Sequence, residues 1–76
     1  MKFSIGDKVA FSRAVVRRLG HDKYTADARG HVVAIDGRVV AVDFGRTFVR
    51  PDDGATVRYV PAANLTKILA NGVIYD

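Results

Sequence analysis

The chain has 76 residues, no cysteine and no tryptophan, and a formal net charge of +4. That length suits one domain, expected to span residues 1–76, and without cysteine neither a disulfide nor a thiolate zinc site is open to it. No apolar run approaches the ~20 residues of a membrane helix, and Met1–Asp7 lacks a signal-like apolar core, so a cytoplasmic location is expected. Residues 1–30 carry the whole excess of +4, with Arg13, Arg17, Arg18, Lys23 and Arg29 grouped between positions 13 and 29. A one-ended basic segment attracts phosphate or an acidic protein surface.

Valine dominates an apolar content of 49%, a composition that favours strands because β-branched side chains fit a pleated, half-buried surface. Gly6-Asp7 is a turn signal, and Lys8–Ser12 alternates as a first strand with Val9 and Phe11 on one face. Ser12 then stands where a helix N-cap belongs and Gly20 where a helix stops, which predicts about two turns of helix over Arg13–Leu19. Helical spacing puts Val15, Val16 and Leu19 on one face and Arg13 and Arg17 on another. His21–Asp27 reads as a polar loop with one aromatic.

His31–Ile35 and Arg38–Phe44 flank Asp36-Gly37, the sequence of a tight hairpin turn. Val40, Val42 and Phe44 share one face and Asp43 lies on the other, with Gly45 placed to bend or bulge the strand. Thr47–Arg50 runs into a Pro51-Asp52-Asp53-Gly54 turn, and Ala55–Val60 returns as a strand. Pro61–Asn64 breaks that strand as one tight helical turn, Leu65–Leu69 closes the sheet, and Asn71-Gly72 turns the chain toward a short strand at Val73–Tyr75. The expected core is Val9, Phe11, Val33, Ile35, Val40, Val42, Phe44, Val57, Val60, Leu65 and Ile68.

Two motifs resemble the SH3-like barrel superfold. Gly6-Asp7-Lys8-Val9 followed by Gly30-His31-Val32-Val33 looks like the opening of KOW-type barrels, and Val60-Pro61-Ala62-Ala63-Asn64-Leu65 is similar to the short-helix junction of signalling SH3 domains. Over most of the chain, Gly6-Asp7-Lys8-Val9, Val16-Arg17-Arg18-Leu19-Gly20, Tyr24-Thr25, Ala28-Arg29-Gly30 and Asn64-Leu65 follow the pattern of small bacterial and phage-encoded barrels. The resemblance implies an all-β fold: a small SH3-like barrel of about five or six antiparallel strands with a short helix inserted after the first. It does not extend to the polyproline groove of signalling SH3 domains. Leu65 stands where that groove has a tyrosine, and the aromatic ridges such recognition needs are missing.

Nothing in the chain points to an enzyme. It has no Gly-rich phosphate loop, no HExxH, no cysteine and no glutamate, and nothing calls for a cofactor or a metal. His21-Asp22 is the one adjacent acid–imidazole pair, and both histidines read as exposed. The sharper expectation is a non-enzymatic binding module whose basic arm contacts nucleic-acid phosphates. Arg13, Arg17, Arg18, Lys23 and Arg29 would converge on one side, with Tyr24 as a stacking platform for a base. The competing expectation is a protein-interaction or assembly module, such as a phage-type accessory or structural protein. Its arm would dock on an acidic protein surface, and self-association as a homodimer is a variant of that reading.

Overall fold

The computed structural model describes residues 3–20, 23–45 and 56–74. Five strands and three short helical segments follow in the order β1 (Lys8–Phe11), α1 (Arg13–Arg18), α2 (Lys23–Asp27), β2 (Arg29–Asp36), β3 (Val39–Asp43), β4 (Val57–Pro61), a 3-10 turn at Ala62–Asn64 and β5 (Leu65–Lys67). The strands form one antiparallel sheet of order β4-β3-β2-β1-β5. β4 and β5 are its two edges, so among the described residues the sheet is open rather than a closed barrel. The expected Thr47–Arg50 segment and the Pro51–Gly54 turn lie outside the described residues, as do His21, Asp22, Phe48 and Tyr75.

The chain enters the sheet through a β-turn. Gly6 takes φ 94°, a left-handed conformation that favours glycine, and the Asp7 N–H donates to the Ser4 carbonyl at 3.0 Å. Asp7 locks this turn from the other side, because its Oδ2 accepts from the Ser4 N–H at 2.8 Å and faces Lys67 Nζ at 3.5 Å. The Gly6 N–H and the Asp7 carbonyl then pair with Val32, so the turn is stitched to β2 before β1 begins.

The β2–β3 hairpin differs from the sequence expectation by one residue. Asp36 pairs with Val39, so the two-residue loop is Gly37-Arg38 rather than Asp36-Gly37. Gly37, with φ 60°, occupies the first loop position, where the primed turns of hairpins require that conformation. Farther along, the register slips between Val32 and Ala34. Val33 is the extra residue of this bulge, and the slip exchanges the faces of everything N-terminal to it.

That exchange corrects the predicted core. Val32, opposite Val42, is fully buried and the bulged Val33 is 37% exposed. Ile35, opposite Val40 and so on the core-facing side, lies toward the hairpin end of the sheet and is 45% exposed. Val57, 44% exposed, is also outside: Val60 is opposite Val40 on the core side, and a residue three positions away on a strand faces the other way. The observed core is Val9, Ala28, Val32, Val40, Val42, Phe44, Val60 and Leu65, with Phe3, Phe11 and Ala62 packed at its margin. Phe11 and Ile68 are half-buried rather than interior. The C-terminal strand expected at Val73–Tyr75 is present within the described residues as a single bridge, Ile68 to Ile74, around a turn at Gly72.

Gly30 sits hard against the end of β3. It pairs with Val9 on β1, and a Cβ built there would lie 2.7 Å from the Asp43 carbonyl oxygen, 2.7 Å from Val42 Cγ1 and 3.0 Å from Phe44 Cδ1. The start of β2 therefore lies against the end of β3 with no room for a side chain. Gly30→Ala should lower stability by about 1–3 kcal/mol, the usual cost of overpacking a close-packed interior, read as a fall in urea midpoint. Gly37→Ala meets no atom within 4 Å and should cost about 1–2 kcal/mol, from its left-handed conformation alone. Equal stability of Gly30→Ala and wild type would disprove the close approach.

Candidate functional site

The candidate site is built around the end of β1. Ser12 ends the strand and caps α1: its Oγ accepts from the Val15 N–H at 3.3 Å, and its backbone is extended at φ −65°, ψ 155°, as an N-cap requires. Its N–H donates to the Asn64 carbonyl at 2.9 Å and its carbonyl accepts from Val16. One residue thus joins β1, α1 and the turn before β5. At the far end, Gly20 at φ 75° stops the helix, and Arg17 and Arg18 occupy the last turn, where positive charge complements the helix dipole.

A helix this short is marginal by itself and is held by packing. Val15 is buried and supplies that packing, while Val16 is half-buried. Leu19, expected on the same face, is the exposed C-cap. α1 packs against α2, and α2 against β1. The expected polar loop over His21–Asp27 is thus helical from Lys23. Thr25 within it and Ala28 just after it are buried, so the loop-like sequence packs against β1 instead of standing in solvent.

A groove of about 230 Å³ opens between these elements, lined by Phe11, Arg13, Val16, Arg17, Ala26 and Ile74. Its aromatic member is backed by the core: the Phe11 ring stacks on the buried Phe44 ring, with centroids 5.4 Å apart and planes within 8°. Arg13 and Arg17, one helical turn apart and both exposed, stand on the α1 side. The site therefore joins an apolar, aromatic-backed hollow to two cations.

The six residues expected to form the arm divide as follows. Arg13 and Arg17 come together at the groove. Arg18 is exposed one residue on, about 100° round the helix, and does not line it. Arg29 is exposed at the start of β2, and its Nη1 donates to the carbonyls of Ala26 (2.9 Å) and Ala28 (2.8 Å). Arg29 thereby serves the carbonyls at the end of α2, which a helix C-terminus leaves without internal partners. Lys23 and Tyr24 belong to α2, and their side chains lie outside the described residues. Phe11, Val16, Ala26 and Ile74 were not expected in the site. Phe11 reads as core in an alternating strand, and Ile74 reaches the groove only through its bridge to Ile68.

Among the described residues no three His, Cys, Asp or Glu side chains gather as a metal site would require, and no helix is long and apolar enough to cross a membrane. Compared with known proteins, the chain matches no family model, no curated protein and no solved structure. Ser12→Ala removes the α1 cap and should cost about 1 kcal/mol of stability. Amide exchange over residues 13–18 should quicken more than exchange in β3. Uniform acceleration across both elements would show that the cap is not what holds the arm.

Proposed function

We propose that this chain is a non-enzymatic binding module of SH3-like architecture that contacts nucleic-acid phosphates through Arg13, Arg17 and Arg18. The architecture is supported by the strand order, in which β2 serves both β5-β1-β2 and β2-β3-β4, and by the 3-10 turn between β4 and β5. The observation that carries the function is the pair Arg13 and Arg17 on one side of an apolar groove. Two cations set a helical turn apart can meet neighbouring phosphates, while the hollow beside them accepts an uncharged part of the same ligand. Phosphate contacts of this kind release counterions, which makes binding salt-dependent and largely indifferent to sequence. No cofactor enters this reading.

A second reading, a protein-interaction or assembly module, is favoured by a different surface. On the outer face of β2-β3-β4, Val33, Val57 and Tyr59 are exposed, Tyr59 at 72%, beside Ala34 and Ala41 in register with it. Aromatic residues of this kind are enriched at protein interfaces. Mass in solution, measured by light scattering, distinguishes a self-associating form of this reading from a monomer.

The nucleic-acid reading is tested by fluorescence anisotropy with a 12-nucleotide mixed-sequence strand across a salt series. For the double variant Arg13→Gln/Arg17→Gln, affinity should fall. The slope of log affinity against log salt should flatten by about 1.4, from the loss of ~0.7 per single-strand phosphate contact. Unchanged affinity and slope would refute the assignment.

A further inference from the structure

We infer that the groove holds one unstacked base of a single-stranded nucleic acid, so that the module prefers single strands to duplexes. This rests on the reading above and specifies its ligand. The size of the hollow is the first ground. At about 230 Å³ it falls below the roughly 300–1,000 Å³ of a site that encloses a small molecule. It takes one ring or one side chain, which suits a longer ligand that inserts a single group.

The lining is the second ground. Phe11, Val16, Ala26 and Ile74 contribute carbon surface, and Arg13 and Arg17 contribute charge. The inserted group is therefore apolar on its faces and joined to anions on one side only. A nucleobase on its phosphodiester strand has that form, and its π-face matches an aromatic floor whatever its sequence. The third ground is rigidity. Phe11 is stacked on Phe44, a residue of the core, so the floor is already in place before a ligand arrives and little ordering entropy is lost on binding.

A base paired within a duplex offers only its edge to such a hollow, because its faces are already stacked. Duplex binding through Arg13 and Arg17 would remain, since phosphates are present in both forms. The charge contribution and the base contribution are thus separable in one assay.

The experiment compares labelled oligo-dT of 12 nucleotides, a strand of the same length made wholly of abasic sites, and a 12-base-pair duplex, all at one salt concentration. Wild type should bind oligo-dT about tenfold or more tighter than the abasic strand, the range expected for one stacked base. Ala26→Phe and Val16→Phe fill the groove from α2 and from α1 and leave both arginines. Each should bring oligo-dT down to the abasic level without altering the salt slope.

In unaltered protein, oligo-dT should shift the methyl resonances of Val16 and Ile74, and the abasic strand should not. This holds the proposal open to refutation even if a variant fails to fold. Equal binding of oligo-dT and the abasic strand by wild type, with no methyl shift, overturns the base-binding inference and leaves phosphate binding intact. No binding to any of the three overturns both. Tighter binding of a peptide of alternating aspartate and phenylalanine than of oligo-dT, with the same methyl shifts, overturns the inference and gives the groove to an acidic protein.

Discussion

The contact between Gly30 and the end of β3 is the constraint on which the remaining architecture depends. With Asp43, Val42 and Phe44 crowded against its α-carbon, the start of β2 approaches the end of its neighbour β3 more closely than any side chain would allow. The contact is passed on to β1, because Gly30 pairs with Val9, and from β1 to β5. A Cβ here would force Val42, Asp43 or Phe44 to move, and Val42 and Phe44 belong to the same buried cluster as Val9 and Leu65. Interiors are close-packed enough that a single methyl group decides such a geometry.

The same contact prepares the groove. Phe44 is pressed beneath Gly30 and stacks on Phe11, so the aromatic floor of the site is an extension of the core. Ser12, the next residue, ends the strand, starts α1 and ties both to Asn64. The cations on α1 are therefore positioned by the sheet and not by the helix, which is too short to fix anything alone. Arg29, outside the groove, holds the carbonyl of Ala26, which lines it.

How much of this was legible in the sequence follows from the range of each signal. Local signals were read well: the Gly6-Asp7 turn, the Ser12 cap and Gly20 stop of α1, the paired runs of β2 and β3, and the turn at Ala62–Asn64. The bulge at Val33 was not legible, since Val32, Val33 and Ile35 are equally apolar and alternation alone cannot say where a register slips. The hairpin loop lay one residue later than Asp36-Gly37 because glycine suits either position of a primed turn. α2 has no apolar periodicity to announce it and is held by what it covers. Of the site, only the arginines could be found, since Phe11, Ala26 and Ile74 meet through tertiary packing that spans most of the chain.

The edge of the sheet at β4 carries a further consequence. That strand is five residues long and ends in Pro61, which has no amide proton to offer, and Arg58 lies opposite Val42 on its core-facing side. A neighbouring molecule seeking to extend the ladder along β4 would meet a missing donor and would have to accommodate a guanidinium within the joined sheets. A valine-rich chain with an open sheet is otherwise a template for fibrous aggregation. Two residues of this edge strand, neither of them part of the core, work against such growth.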